Sequence, residues 1–256
     1  MKNLSISVVS HGHKEQILRL AKSLSELKLN EVTNLIVTAN LNTEKFHKSE
    51  FSQFSNIIVT IIRNTRPKGF GSNHNYAFKT NSSDYFAVLG PDILLNEDPF
   101  NTLINLLKKE NHALVTIPLK DENGLVTDSL RKNLTLTSLL KRNLLNIRNI
   151  NIHSNDFIWT IGAFMIFDSK IYKKINGFNE KIFLYCEDFD ICARLYLKGY
   201  SMGIGQDFNV THIGNRQSHK SLKFFIWHLT SLLRVWSSKT FWKLYLLLAK
   251  KKFGKL

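Results

Sequence analysis

Short runs of β-branched and apolar residues recur along the first half of the chain and alternate with stretches of helical periodicity. The runs span Leu4–Ser10, Leu35–Thr38, Ile57–Ile62, Tyr85–Leu89 and Ala113–Ile117. The segment from His13 to Leu29 carries apolar residues at helical spacing, and another helix is predicted to begin near Asp98. This alternation predicts an α/β domain whose mostly parallel central sheet is flanked by helices.

The amino-acid composition indicates a folded protein that does not depend on disulfides or zinc. A hydrophobic content of 43% in 256 residues is enough to bury a substantial core. The two cysteines, Cys186 and Cys192, lie within one short segment, and two are too few for a disulfide framework or a zinc site. We interpret them as reduced residues of a cytoplasmic protein. No export signal follows the first residues, and no apolar run reaches the roughly 18 residues of a membrane span.

The net charge of +15 is unevenly distributed, since residues 208–256 contain ten Lys or Arg and no Asp or Glu. Such a block attracts nucleic acid, anionic lipid or phosphorylated substrates, and charge alone does not choose among them. From Ser221 onward aromatic and apolar residues alternate with cations, which predicts an amphipathic helical segment at a membrane interface. In the alternative, the first part packs on the preceding domain and only Lys250–Lys255 is solvated.

Polar residues follow the predicted strands, where ligands collect in sheets of this kind. Ser10 and His11 end the first strand, Asn40 follows the second, and Asp92 follows the fourth. A carboxylate at a strand end could coordinate a divalent cation, although a turn in Gly90-Pro91-Asp92 explains it as well.

A glycine-rich stretch, residues 68–75, joins the third strand to a predicted helix. Exposed backbone N–H groups at Gly69 and Gly71, at the start of that helix, could bind phosphate or sugar hydroxyls. A glycine turn capped by an asparagine is the alternative.

Three acids, Glu187, Asp188 and Asp190, stand at the start of a helix predicted to end near Gly199. The helix dipole favours acids there, so capping explains one of them. Three close carboxylates repel one another, and one can be poised as a general base. The spacing leaves catalysis and capping open. His212 follows an extended run, and a lone histidine of this kind is more often structural than a ligand.

Taken in order, these segments resemble family 2 glycosyltransferases of the GT-A fold, particularly the bacterial rhamnosyltransferase-like enzymes of O-antigen and other surface polysaccharides. The matching landmarks are Val8–His11, Gly69–Gly71 with Asn73 and Asn75, Leu89–Asp92, Ile161–Phe164, Gly177–Glu180, Phe183–Leu195 and His212. The resemblance implies a Rossmann-like GT-A catalytic domain over residues 1–218, followed by a basic amphipathic helical segment over residues 219–256.

The resemblance also implies roles for individual residues. Asp92, with His212, would hold Mg²⁺ or Mn²⁺ against the donor diphosphate, and Asp188 would deprotonate the acceptor hydroxyl for an inverting transfer. Glu187 and Asp190 would support Asp188. The donor would be bordered by a further set of residues: Ser10, His11, Asn40, Gly69, Gly71 and Asn73.

The implied partners are a nucleotide-sugar donor, dTDP-rhamnose or a UDP-sugar, and a polyprenyl-diphosphate-linked glycan at the inner face of the cytoplasmic membrane. No nucleic acid is expected, although a basic nucleic-acid-binding protein is one alternative. A catalytically inactive relative that only binds a donor-like ligand is another.

Two positions depart from the family's pattern. The second strand usually ends with an Asp-Asn pair that contacts the donor base, whereas this chain has Ala39-Asn40. The metal motif usually reads Asn-Pro-Asp, whereas this chain has Gly90 in place of the asparagine. The first departure leaves the base of the donor open, and the second leaves a metal site with a single acid.

Overall fold

The computed structural model describes residues 4–27, 29, 32–54, 57–80, 83–132, 134–135, 157–206, 208–214 and 222–253. The strands are β1 Leu4–Ser10, β2 Val32–Ala39, β3 Ile58–Arg63, β4 Tyr85–Leu89, β5 Ile93–Leu95, β6 Leu114–Thr116, β7 Leu130–Arg131, β8 Trp159–Thr160, β9 Phe164–Asp168, β10 Met202–Ile204 and β11 Val210–His212. The α-helices are α1 Lys14–Glu26, α2 Phe70–Lys79, α3 Phe100–Lys109, α4 Ser169–Lys174, α5 Glu187–Leu197, α6 Leu222–Trp236 and α7 Lys239–Phe253, and a 3-10 helix spans Lys48–Phe51.

The central sheet has seven strands in the order β10-β6-β9-β4-β1-β2-β3. All neighbouring pairs are parallel except those made by β9, which runs antiparallel between β4 and β6. The predicted mostly parallel α/β sheet is therefore confirmed. The bounds predicted for β1 and β4 are those observed. Strand β2 extends three residues before and one residue beyond its predicted bounds, β3 is shifted by one residue, and β6 is shorter by one residue at each end.

The two faces of the sheet bury separate apolar clusters because successive side chains of a strand point to opposite faces. In β1, Leu4, Ile6 and Val8 join the cluster that also contains the apolar side chains of α1 and α3. The opposite face is covered by α2, α4 and α5 with their buried aromatic residues. There β1 presents serines instead, and Ser7 Oγ lies 2.8 Å from Nδ1 of His74.

The basic C-terminal segment forms the two helices α6 and α7, which confirms its helical pattern. Both pack on the preceding domain: the Ser231 hydroxyl donates to the carbonyl of Leu184 at 2.7 Å, and the ring of Phe241 lies 6.2 Å from that of Phe189. Lys250 and Lys251 are exposed. Among the described helices, none is long and apolar enough to span a bilayer.

The polar, asparagine-rich stretch between Asp121 and Ser154 predicts a loop and a helix. Residue 133 and residues 136–154 of this stretch lie outside the described residues. The described part of that region contains β7, which pairs antiparallel with β8. Beside this pair, the Leu134 carbonyl accepts a hydrogen bond from Trp236 Nε1 at 2.8 Å. This region therefore supports the C-terminal helix α6.

His74 supplies a pH-dependent term in the stability of this core. Its side chain is fully buried in α2, and burial lowers its pKa to about 3. The folded protein therefore keeps His74 neutral, whereas the unfolded chain protonates it below the ordinary value of 6.5. Unfolding then takes up a proton, so this contribution to stability is lost as the pH falls below 6.5, at about 1.4 kcal/mol per pH unit.

We predict that His74→Gln flattens this pH dependence while lowering stability at neutral pH. The measurement is the free energy of unfolding by denaturant at about pH 7.5 and about pH 5.5. The exposed His47 provides the matched control variant, His47→Gln, which should keep the slope of the unsubstituted protein. An unchanged slope in His74→Gln would contradict the prediction.

Candidate active site

Asp92 and His212 are brought together by a two-stranded ribbon at the end of the sheet. β5 follows Asp92 directly and pairs antiparallel with β11, so that His212 lies opposite Ile93. The backbone N–H of Ile213 also donates to the Asp92 carbonyl at 3.0 Å. As a result, His212 Nε2 stands 3.4 Å from Asp92 Oδ2, and both side chains are partly exposed. Residues 120 positions apart thus form one polar pair.

The electrostatics of this pair favour a carboxylate. Burial alone would raise the pKa of Asp92, but the hydrogen bond and charge of His212, together with a backbone hydrogen bond, lower that pKa below its ordinary value. The nearby His13 acts in the same direction. Asp92 is therefore favoured as an anion just beyond the carboxyl end of β4.

The pair fits a divalent cation as two of its ligands. Neighbouring ligands of an octahedral ion with bonds of about 2.1 Å lie roughly 3 Å apart, and the 3.4 Å between Asp92 Oδ2 and His212 Nε2 approaches that spacing. Among the described residues, no group of three or more His, Cys, Asp or Glu could enclose a metal. A cation at this pair would therefore need substrate oxygens to complete its coordination.

Asp188 lies at the start of α5, where backbone donors orient its carboxylate. Oδ1 accepts from its neighbour Phe189 N at 2.8 Å, and Oδ2 accepts from Gly162 N at 3.2 Å. Burial raises the pKa of Asp188 above its ordinary value, although the charge of Arg131 and these N–H donors oppose that shift. The residue as a whole is partly exposed. It is therefore oriented, reachable and more basic than an ordinary aspartate.

The turn before β9 connects the two sites. Gly162 N donates to Asp188, while the carbonyl of the next residue, Ala163, accepts from Gly90 N at 2.8 Å. Gly90 is two residues before Asp92, and a Cβ atom at Gly90 would stand 2.9 Å from Asp92 Oδ1. The acid at the helix and the acid at the strand end thus flank one short segment.

Glu187 occupies a different environment from its neighbour. It is only 4% exposed, and its Oε2 has no hydrogen-bond partner in the described part of the chain. Burial, followed by the charges of Asp188 and Asp190, raises the pKa of Glu187 well above its ordinary value. This carboxyl is therefore favoured in its neutral form, which cannot take up a further proton as a base.

Asp190 is engaged by an arginine on the same helix. Its Oδ2 accepts from Arg194 Nε at 2.7 Å, and Asp190 is only 3% exposed. The remaining nitrogens of Arg194 donate to the carbonyls of Ile175 and Gly177 at 2.8 and 2.7 Å. The pair therefore joins α5 to the turn that follows α4.

The chain enters α5 through two residues in the left-handed region, Tyr185 (φ 69°) and Cys186 (φ 66°). A non-glycine residue in this conformation costs on the order of 1–3 kcal/mol, and such strain clusters at functional sites. Helix α6 supports the turn, since the ring of His228 stacks on Tyr185 at 4.9 Å and Trp227 lies 4.8 Å from Phe183. The turn places the first residues of α5 beside the segment around Gly162, where Asp188 accepts from Gly162 N.

The side chains predicted to border the donor lie together at the ends of β1 and β2. Ser10 is buried, and its hydroxyl donates to Glu44 while accepting from His13 N at 3.1 Å. Asn40 Nδ2 lies 3.3 Å from His11 Nδ1 and donates to the Lys68 carbonyl at 3.0 Å. The structure places these residues close together, and their contact with a donor stays a prediction.

The predicted glycine-rich site is closely packed. A Cβ atom at Gly69 would lie 2.7 Å from the Phe183 carbonyl oxygen, and one at Gly71 would lie 2.5 Å from Phe178 Cβ. The amide of Asn73 is also used within the protein, since its Oδ1 accepts from Asn64 at 2.7 Å. Packing thus accounts for both glycines, and their contact with a donor also stays a prediction.

Sequence reasoning missed two charged residues of this region. Arg131 lies in β7, with its guanidinium 5.1 Å from the ring centroid of Trp159, and its charge favours the Asp188 carboxylate. Glu44 accepts from Ser10 Oγ and from Gly12 N at the end of β1. Neither residue belongs to a local motif, so only the folded chain reveals their positions.

The chain is similar in sequence to known glycosyltransferases. Residues 5–175 match "Glycosyl transferase family 2". The rhamnosyltransferase WbbL of Escherichia coli (strain K12) is 28% identical over 252 residues, which cover 91% of this chain and 92% of that protein. The low-salt glycan biosynthesis hexosyltransferase Agl10 of Haloferax volcanii is 20% identical over 224 residues, covering 83% of this chain and 67% of Agl10.

Solved glycosyltransferases share the fold at low sequence identity. GalNAc-T7 with UDP, GalNAc and Mn²⁺ aligns with a TM-score of 0.64 at 13% identity, covering 94% of this chain and 49% of that one. Residues 1–349 of S. aureus TarS with UDP-GlcNAc align with a TM-score of 0.63 at 13% identity, covering 93% of this chain and 67% of that one. The predicted GT-A fold is confirmed. The chain is a glycosyltransferase that belongs to glycosyl transferase family 2.

Proposed function

We propose that this glycosyltransferase moves a rhamnose-type sugar from a nucleotide-diphosphate donor, dTDP-rhamnose or a UDP-sugar, to a hydroxyl of a polyprenyl-diphosphate-linked glycan. The transfer inverts the anomeric carbon, and the enzyme acts at the inner face of the cytoplasmic membrane. Similarity to the rhamnosyltransferase WbbL along most of both chains supports the choice of sugar, and similarity to the glycan biosynthesis hexosyltransferase Agl10 supports a glycan acceptor.

The observation that carries the proposal is the environment of Asp188. Its carboxylate is oriented by two backbone N–H groups, is partly exposed and has a raised pKa. A carboxylate with these properties can accept the proton of a sugar hydroxyl while that hydroxyl attacks. One attack from the side opposite the leaving diphosphate inverts the anomeric carbon, so no covalent intermediate with the protein is needed.

The other two acids have supporting roles in this proposal. Burial raises the pKa of Glu187 well above its ordinary value, which favours the neutral form and so limits the negative charge beside Asp188. Asp190 acts through Arg194 to fix α5 against the turn at Gly177. Asp188 is then the base, and its two neighbours set its position and its charge.

Asp92 and His212 would hold Mg²⁺ or Mn²⁺ on the donor side of the site. When bound, the ion supplies charge neutralisation at the leaving diphosphate. Mn²⁺ is present in the structures of GalNAc-T7 and of the mannosyltransferase PcManGT from Pyrobaculum calidifontis, which supports a cation here. Ser10, His11, Asn40 and the N-terminal end of α2 would border the nucleotide.

We predict that Asp188→Asn lowers sugar transfer at least about a hundredfold, because an amide cannot accept the acceptor's proton. The assay follows sugar from a labelled donor into lipid-extractable glycan of a bacterial membrane fraction. The exposed Asp84 provides the matched control variant, Asp84→Asn, which should retain transfer. Donor binding, measured as thermal stabilisation by nucleotide sugars with Mn²⁺, should persist in Asp188→Asn. Undiminished transfer by Asp188→Asn would contradict its role as the base, and absence of transfer by all three proteins would indicate a protein that only binds its ligand.

The free energies of unfolding of two variants should distinguish the roles of Asp188 and Asp190. We predict that Asp190→Asn lowers the free energy of unfolding by about 3 kcal/mol, because it leaves the charge of Arg194 without its buried partner. Asp188→Asn should be at least as stable as the unsubstituted protein, because it removes a charge whose burial is unfavourable. Chemical denaturation measures both values. Equal stability of the two variants would contradict the assignment of Asp190 as a positioning residue.

We predict that excess EDTA abolishes transfer and that added Mn²⁺ or Mg²⁺ restores it. His212→Ala should raise the Mn²⁺ concentration needed for half-maximal transfer, because Asp92 is then the remaining protein ligand. His47→Ala, at an exposed histidine before the 3-10 helix, is the control and should keep the Mn²⁺ dependence of the unsubstituted protein. Full activity in EDTA would overturn the metal site.

A further inference from the structure

Helix α6 presents an apolar stripe to solvent. Five large side chains spaced at three or four residues, with one adjacent pair, are roughly half exposed or more: Leu222 at 74%, Phe225 at 56%, Ile226 at 49%, Leu229 at 45% and Leu233 at 55%. This spacing forms one continuous face of an α-helix, the face that a soluble protein ordinarily turns toward its core. The five residues are called the α6 stripe below.

The opposite face of α6 is already packed, so rotation of the helix cannot bury the stripe. Val235 is only 2% exposed, and Ser231 Oγ is bonded to the Leu184 carbonyl. Trp227 and His228 contact the rings of Phe183 and Tyr185. The helix is therefore apolar on both faces, and one of these faces has no covering element among the described residues.

We infer that the α6 stripe is the surface through which this protein rests on an anionic membrane. The inference deepens the proposed function, on which its meaning for catalysis depends, by naming the side chains that enter the lipid. A bilayer offers an apolar phase for the stripe and phosphate headgroups for the cations around it. Exposed Arg234 borders the stripe on α6 itself, and exposed Lys239, Lys243, Lys250 and Lys251 follow on α7.

The distribution of charge favours a membrane over a second copy of the chain as the partner of the α6 stripe. Residues 208–256 carry ten Lys or Arg and no acid. Two copies joined through their stripes would bring these like charges together, which opposes association. Anionic lipid headgroups would instead neutralise them.

The length of α6 fixes how it meets the bilayer. It has 15 residues, whereas a span requires about 20 apolar residues. The helix would therefore lie in the plane of the membrane surface, with the stripe among the acyl chains and the Ser231 face toward the protein.

This geometry places the active site next to the membrane. The inner face of α6 contacts residues 183–185, which lead directly into α5 and Asp188. The segment that leads into Asp188 then lies behind the lipid-facing stripe by about the thickness of one helix, roughly 10 Å. A glycan that projects from its lipid anchor would reach Asp188 without leaving the surface.

The lysine-rich end of the chain is not a suitable place to test this inference. In α7, Phe241 and Leu244 are 8% and 3% exposed and belong to the apolar cluster that includes Phe189. Deleting α7 would therefore open the core as well as remove charge. Substitutions within the stripe leave the core intact.

The test compares the double variant Phe225→Ser/Leu229→Ser with a matched control, Leu125→Ser/Val126→Ser. The control residues are 67% and 66% exposed and lie in the turn before β7. The control variant therefore also removes two exposed apolar side chains. Sedimentation with phosphatidylglycerol vesicles measures binding, and phosphatidylcholine vesicles measure its dependence on charge. We expect the stripe variant to bind phosphatidylglycerol at least about tenfold more weakly, and the control to bind like the unsubstituted protein. Equal vesicle binding by the two double variants would overturn the inference.

Two further measurements distinguish a membrane surface from a dimer interface, and failure of this inference from failure of the proposed function. Sedimentation velocity without vesicles reports self-association, and a dimer that the stripe variant abolishes would overturn the inference in favour of an interface between copies. Thermal stabilisation by nucleotide sugars with Mn²⁺ reports the donor site independently. Stripe-dependent vesicle binding in a protein that no nucleotide sugar stabilises would support the membrane surface while contradicting the proposed function. Nucleotide-sugar stabilisation without stripe-dependent vesicle binding would contradict the membrane surface alone.

Discussion

The side-chain amide of Asn75 is the contact on which the arrangement of the active site depends. From inside α2 its Oδ1 accepts from the Tyr172 hydroxyl and from Phe178 N, while its Nδ2 donates to the Phe178 carbonyl at 2.9 Å. A Cβ atom at Gly177 would lie 2.2 Å from Asn75 Oδ1, so the turn approaches the amide at a distance that only glycine permits. Because Arg194 binds the carbonyls on the other side of the same turn, α2 and α5 are both tied to it. The two contacts together fix α5 relative to α2.

The three acids of α5 illustrate how one short segment acquires three chemical roles. Asp190 is neutralised by an arginine one helical turn away, and Glu187 is buried where a charge is unfavourable. Asp188 alone combines backbone donors, partial exposure and a raised pKa. The division of roles thus comes from what surrounds each carboxyl, since the three residues lie within four positions of one another.

Much of the fold was predictable from local sequence, because β1 and β4 are almost entirely buried runs, one ending at Ser10 and the other followed by Gly90-Pro91. Strand β9 was missed as a strand, since its antiparallel insertion between β4 and β6 is decided by pairing with distant residues. The proximity of Asp92 to His212 was implied by a family resemblance, and the β5–β11 ribbon supplies its physical cause. The choice between capping and catalysis at Asp188 could not be made from spacing, because Gly162 and Arg131 come from other parts of the chain.

We propose that Asp92 and Asp188 face one reaction space from opposite sides of the segment at Gly162. A crystal structure with Mn²⁺ and a nucleoside diphosphate tests it most directly. We expect the ion to be bound by Asp92 and His212, the diphosphate to contact the ion, and the Asp188 carboxylate to stay open to the space beyond the diphosphate. A diphosphate bound away from Asp92, or one that covers Asp188, would contradict the claim.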